Sequence, residues 1–564
     1  MTPLLQIRDF SVRFSTEGET TTAVNKISLT VNRGEILALV GESGSGKSVT
    51  SLSILQLLPS PPALLSGEIL FSPGSETVDL LQLSSRAMQA VRGGQVGMIF
   101  QEPMSSLNPV MRCGPQVMEA LLQHRRITAT EARKRTLDWF ARVQLPSPET
   151  TFAKYPHQLS GGQKQRVMIA MAMCCEPDLL ICDEPTTALD VTVQKAVLEL
   201  IGDLQKEHNM GVIFISHDLG VVAQIADRVA ILYKGDLLEE APAHQLFRSP
   251  SHPYTKALLA CRPALHPKGV RLPVVSDFMG GAPPHVIAQP QPTAPAPNGA
   301  HEVLVEMQHV TVRFPTRTNL FGKHTAHYTA VNDVSLQLIK GETLGLVGES
   351  GCGKTTLGRT LLRLVEPWAG RILLNGRDIT RLSKDQLRTL RKDVQLVFQD
   401  PFSSLNPRLT IGDAIAEPML VYGMGNASER KRKVADLLDK VGLPAEHARR
   451  YPHQFSGGQR QRIVIARALA LEPGLLVCDE SVSALDVSVQ AQVLNLLSDL
   501  KKEFGLTLLF ISHDLSVVRY MSDRIAVMRA GSIVESGAAE DVYHRPTSAY
   551  TKSLIEAIPT ITAG

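Results

Sequence analysis

The chain has 564 residues, 43% of them apolar and 20% charged, with a formal net charge of +3. That length exceeds what one hydrophobic core organises, and a charge so close to balance gives no reason to expect a nucleic-acid or acidic-lipid surface. No run of 18 apolar residues occurs and the start, "MTPLLQIRDF", lacks the basic region and apolar core of a signal peptide, so neither a membrane span nor secretion is predicted and the protein is expected in the cytoplasm. The seven cysteines, Cys113, Cys174, Cys175, Cys182, Cys261, Cys352 and Cys478, form no Cys-x-x-Cys pair and are read as reduced, buried or incidental thiols.

Along the chain, "EILALVG" is the first short apolar run bounded by turns, and "SVTSLSILQLL" after it has helical periodicity. Residues from about 104 to 172 read mainly as helix and predict a separate helical lobe. "DLLICDE" and "GVIFISH" are again strand-like, with the helical "AVLELIGDLQKEHN" between them. Strands buried on both faces and alternating with helices imply an α/β layered core around a mostly parallel sheet. From about Arg262 the chain turns Pro- and Ala-rich, through "PHVIAQPQPTAPAPNGA". That composition predicts an exposed linker over residues 263–301, and roughly 40 flexible residues span about 35 Å.

Everything before the linker then recurs. "GESGSGKS" at Gly41 returns as "GESGCGKT" at Gly348, "FQEPMSSLNP" at Phe100 as "FQDPFSSLNP" at Phe398, and "YPHQLSGGQKQRVMIA" at Tyr155 as "YPHQFSGGQRQRIVIA" at Tyr451. "FISHDL" recurs at Phe214 and Phe510, and "YTKALL" at Tyr254 returns as "YTKSLI" at Tyr550. Fixed order with slightly drifting offsets means a duplicated domain. The expected domains are residues 1–262 and 302–564.

The repeated segments carry chemistry. Gly41–Ser48 and Gly348–Thr355 fit G-x-x-x-x-G-K-[ST] between a strand and a helix, where glycines let backbone N–H groups wrap a triphosphate. Candidate nucleotide contacts are Gly41, Glu42, Ser43, Gly44, Ser45, Gly46, Lys47, Ser48 and Val49, and in the second copy Gly348, Glu349, Ser350, Gly351, Cys352, Gly353, Lys354, Thr355 and Thr356. Ser48 and Thr355 could ligate Mg²⁺ with Asp183 and Asp479. Glu184 and Glu480, next on their strands, suit orientation of an attacking water. His217, His513, Gln101 and Gln399 end other strands: either plain strand-end polar residues, or contacts to γ-phosphate, metal and water. Ser160, Gly161, Gly162 and Gln163, matched by Ser456, Gly457, Gly458 and Gln459, precede a helix as a second anion turn. A plain cap would need the serine but not both glycines and the glutamine. Cys352, where the first copy has Ser45, is expected to react with maleimide when its loop is empty.

This motif set resembles that of the ATP-binding-cassette ATPases: phosphate loop, Gln loop, "LSGGQ" signature, Asp-Glu strand, "TALD" at Thr187, "SALD" at Ser483 and the switch histidine. The resemblance implies two P-loop NTPase domains, each a RecA-like core with an antiparallel β subdomain and a helical subdomain. It also implies head-to-tail packing, with each ATP between the phosphate loop of one domain and the signature of the other. Phe14 and Phe314 resemble the aromatic that stacks on adenine, with strand-core packing as the alternative.

The "SSLNP" segments and the tails "SPSHPYTKALL" and "RPTSAYTKSLI" resemble the oligopeptide/dipeptide/nickel importer subfamily. Its members work at the inner membrane as peripheral subunits. That implies ATP and Mg²⁺ as cofactors, two permease subunits as partners, a periplasmic solute-binding protein in the complex, and import of a peptide or of glutathione. Permease helices are expected to dock near residues 104–115 and 402–413. Ser481, where the first copy has Pro185, departs from the strand-end pattern. A ribosome-acting tandem cassette is the alternative, disfavoured by the nearly uncharged linker.

Overall fold

The computed structural model describes residues 3–16, 19–101, 106–187, 189–280, 302–318, 324–483, 485–559 and 561. It divides into two compact units, Met1–Leu259 with Pro559–Gly564, and Ala260–Ile558.

In the first unit a six-stranded sheet runs Asp236–Pro242, Arg228–Tyr233, Ile36–Val40, Gly211–Ser216, Leu179–Asp183, Val96–Ile99 in spatial order. All neighbours are parallel except the edge strand Asp236–Pro242, which runs antiparallel to Arg228–Tyr233. The three central strands Ile36–Val40, Leu179–Asp183 and Gly211–Ser216 are buried along their whole length, which is why they read as continuous apolar runs. A second, antiparallel sheet orders Glu19–Val31, Leu5–Thr16, Ala63–Phe71, Val78–Asp79. The second unit repeats both sheets. Its main sheet runs Val394–Val397, Leu475–Asp479, Thr507–Ser512, Thr343–Val347, Arg524–Arg529, Ser532–Ala538, and its antiparallel sheet is built on Val303–Thr318 and His324–Ile339.

The helical lobes form where the sequence placed them, through Cys113–His124, Ala129–Arg142, Pro148–Ala153 and Gly161–Met173, and through Ile411–Val421, Ala427–Lys440 and Gly457–Leu469 in the second unit. Their starts are fixed by side chains that accept otherwise unpaired N–H groups. Thr128 accepts from Glu131 N, and Asn426 accepts from Glu429 N while Glu429 accepts from Asn426 N.

One expectation needs correction. Residues 263–279 are not an exposed tether. They form a 3₁₀ turn at Pro263–Leu265 and a helix at Val275–Met279, and Leu272, 1% exposed, lies in the core of the second unit. The remaining part of the expected linker, 281–301, lies outside the described residues, as do residues 104 and 105 of the expected permease contact.

Candidate nucleotide sites

Each phosphate loop sits where a buried central strand hands over to a helix, Lys47–Ile54 or Lys354–Leu361. Gly46 and Gly353, immediately before those helices, have left-handed backbones with φ of 100° and 107°. A side chain there would also meet backbone: an added Cβ would lie 2.7 Å from Ala23 O or 2.3 Å from Ala330 O. Only glycine satisfies both demands. Lys47 folds into its own loop and donates to Gly41 O at 2.7 Å and Glu42 O at 2.9 Å; Lys354 does the same to Gly348 O and Glu349 O at 2.6 and 2.9 Å. Both lysines are buried, so their charge lies at the floor of the cradle.

The helix-start hydroxyls meet the first acid of each Asp-Glu pair. Ser48 Oγ donates to Asp183 Oδ1 at 3.1 Å and Thr355 Oγ1 to Asp479 Oδ1 at 2.8 Å. These are hard oxygen donors beside a phosphate cradle, the set that suits Mg²⁺. Burial pushes Asp183 up to about 6 against the Ser48 hydrogen bond, and raises Asp479 likewise.

The glutamates are held differently. Glu184 and Glu480 have left-handed backbones, φ 48° and 47°, a conformation costing about 1–3 kcal/mol in a non-glycine residue. Each backbone N–H reaches across to the neighbouring strand, Glu184 to Ile215 O and Glu480 to Ile511 O. The turn swings the carboxylate away from the aspartate and toward the ends of two other strands. There Gln101 Nε2 donates to Glu184 Oε2 at 3.1 Å, Thr187 Oγ1 donates at 2.9 Å and His217 Nδ1 lies at 3.3 Å. Around Glu480, Gln399 Nε2 donates at 2.7 Å and His513 Nδ1 lies at 3.6 Å. Burial alone would raise Glu184, but the His217 hydrogen bond and charge, with the Thr187 hydroxyl, outweigh it and hold the carboxyl at about 2. Glu480 is lowered by the same balance, and His513 is raised because Glu480 offsets its burial. Of the two readings open for Gln101, Gln399, His217 and His513, each of these side chains lies against the glutamate of its own half.

The structure corrects the reading of the signature turn. Ser160 accepts from Gln163 N at 3.3 Å and Gln163 accepts from Ser160 N at 3.2 Å; Ser456 and Gln459 repeat this. The glutamine is therefore part of the cap. The second glycine has a packing reason as well, since a Cβ on Gly162 would lie 2.6 Å from Val193 Cγ1 and one on Gly458 2.2 Å from Val489 Cγ1. The first glycine is nearly unconstrained, with Leu189 Cδ2 at 4.0 Å from a Cβ on Gly161 and nothing within 4 Å of one on Gly457.

Phe14 is half-buried and packs on the core of the first antiparallel sheet, whereas Phe314 is exposed and pairs across the strands with exposed Tyr328. Cys352 is buried within its loop, 7% exposed, which opposes the expected maleimide labelling. Tyr254 and Tyr550 were missed as site residues. Their hydroxyls accept from Glu42 N and Glu349 N in the phosphate loops, and the repeated "YTK" segments were the available signal.

Each half thus holds a glycine-rich loop with a buried lysine, a hydroxyl–carboxylate pair whose oxygens suit a divalent cation and a separately held carboxylate, an arrangement that fits a phosphate-loop ATPase. Residues 24–187 and 331–483 match the ABC transporter family, and 238–277 and 534–564 match the C-terminal region of oligopeptide/dipeptide transporters. The chain belongs to the ABC transporter family, as an ATP-binding subunit with two cassettes in one polypeptide. It is 48% identical over 563 residues to the glutathione import ATP-binding protein GsiA of Pectobacterium atrosepticum, covering 99% of this chain and 89% of that one. The protein of the same name from Escherichia coli (strain K12) is 48% identical over 562 residues with the same coverage.

Proposed function

We propose that this chain hydrolyses ATP in both cassettes to drive import of glutathione or a small peptide through separate permeases. The observation that carries the hydrolytic part is the convergence of Gln101, Thr187 and His217 on Glu184, repeated by Gln399 and His513 at Glu480. The relatives' name supports glutathione as cargo.

In this reading the loop amides and Lys47 or Lys354 bind the β- and γ-phosphates. Ser48 with Asp183, and Thr355 with Asp479, hold Mg²⁺, which supplies charge neutralisation on the phosphate oxygens. Glu184 and Glu480 orient the attacking water. Ser160, Gly161 and Gly162, and Ser456, Gly457 and Gly458, complete the opposite half's site with the first amides of their helices. Cysteines placed at exposed Ser43 and at Gly457, where a Cβ has room, should crosslink in the presence of ATP. Crosslinking confined to motifs of the same half would overturn the composite-site reading.

No helix among the described residues is long and apolar enough to cross a membrane. Two permeases and a periplasmic solute-binding protein therefore complete the proposed importer, with this chain on the cytoplasmic face of the inner membrane. A groove of about 310 Å³ in the second unit, lined by Leu364, Phe398, Val421, Tyr422, Arg391 and Glu417, suits one amphipathic permease helix. It lies beside the expected 402–413 segment, where Phe402 is exposed. The test is ATP-dependent uptake of labelled glutathione by vesicles reconstituted with the chain, two candidate permeases and a solute-binding protein from the same organism. Uptake of a dipeptide but not of glutathione would reassign the cargo; no ATP-dependent uptake of either would overturn the reading.

A further inference from the structure

The segment that follows the first cassette is built into the second unit by a set of fitted contacts. Asn495 is 3% exposed, and its side-chain amide closes on Leu272 from both sides. Leu272 N donates to Asn495 Oδ1 at 2.9 Å, and Asn495 Nδ2 donates to Leu272 O at 2.8 Å. Tyr520 OH, also buried, donates to Val270 O at 2.8 Å. Arg271 pairs with Asp499 at 2.7 Å, and Lys268 pairs with Asp523, which also takes Lys501 at 3.1 Å. Cys261 and Leu272 are fully buried in the same apolar core. Backbone groups gripped by buried side chains of another segment mark a specific seat rather than a chance contact, because such groups are costly to leave unpaired.

Among the described residues the first half does not repeat this grip. At the matching offset of 296 the first half has Glu199 and Gln224 in place of Asn495 and Tyr520, and both are exposed. An ionised glutamate cannot donate to a carbonyl, so the first half cannot make this grip. The second half's grip comes from the helix Val487–Phe504, which directly follows the "SALD" turn, and from Leu515–Met521, which starts just after His513.

The geometry points to residues 260–272 as a latch: a docking segment that keeps the first cassette attached to the second through the Asn495/Tyr520 seat, with no nucleotide and no intact linker required. Opening the ATP sites after hydrolysis then loosens the halves without releasing them. The inference stands independently of which solute is transported.

The test uses the full chain with a protease site inserted between Gln291 and Pro292. After cleavage in nucleotide-free buffer with a chelator, the two fragments should co-elute as a pair on gel filtration; elution as separate fragments would overturn the latch. Asn495→Leu leaves Leu272 N and O unpaired and should weaken association of the cut fragments by about 10²-fold or more, so that they separate at micromolar concentration. Glu199→Leu, at the matching position of the first half, should leave the pair intact. Cut Asn495→Leu protein that still co-elutes would overturn the latch, since another surface then holds the halves. A synthetic peptide of residues 260–279 gives an answer free of any folding defect. In excess it should displace the first fragment from the cleaved wild-type pair, and failure to displace it would equally overturn the proposal.

Discussion

The two cassettes hold their strand-end glutamates with the same kinds of side chain, but among the described residues the first glutamate takes one more of them. Glu184 takes three side chains, because Thr187 turns its hydroxyl onto Oε2. Among the described residues Glu480 takes Gln399 and His513; Ser483, at the position of Thr187, donates instead to the backbone carbonyl of Glu480 at 2.9 Å. Pro185 fixes the backbone after Glu184, whereas Ser481 leaves that position freer. Duplicated sequence has thus kept the strained glutamate in both halves while letting its restraints diverge. The first carboxylate is pinned by side chains and a proline, the second mainly by its strand.

The largest effect expected is from the glutamates themselves. Glu184→Gln with Glu480→Gln should keep ATP binding and lower phosphate release by about 10²–10⁴-fold, the usual cost of losing carboxylate assistance. Each single change should also cut turnover strongly. Near-parental release from Glu480→Gln, with Glu184→Gln inactive, would show that the second carboxylate is structural and would turn the difference in restraint into a difference in function.

A smaller effect separates the restraints. Thr187→Val removes a hydrogen bond to an ionised acceptor and should lower steady-state ATPase by roughly 10-fold, while Ser483→Ala stays within about 2-fold. Equal losses in the two variants would mean that the threonine hydroxyl is not a distinguishing restraint.

The smallest effect should be common to both halves. Gly162→Ala and Gly458→Ala force a methyl against Val193 and Val489 and should cost about 1–3 kcal/mol of stability in thermal or denaturant unfolding. Gly161→Ala and Gly457→Ala have room and should stay within about 0.5 kcal/mol. If the two glycines of either turn proved equally sensitive, the packing account of the second would fail.

Much of this protein was determined by local sequence. The glycine and lysine spacing of the phosphate loops, the apolar runs of the central strands, the Asp-Glu strand ends and the duplication are short-range patterns, because each reflects one strand, turn or helix meeting its own backbone requirements. What only the tertiary structure decided involves partners far apart in the chain. Gln101 meets Glu184 across 83 residues and Tyr254 meets the Glu42 amide across 212, and no periodicity records such a meeting. The left-handed backbone of the glutamates is likewise invisible in residue type. The segment 263–279 shows the limit best. Its prolines and its place before a Pro/Ala-rich stretch read as tether, yet Val270 and Leu272 have their backbone groups satisfied by side chains more than 220 residues later. Burial of a segment without regular structure depends on partners that composition cannot name.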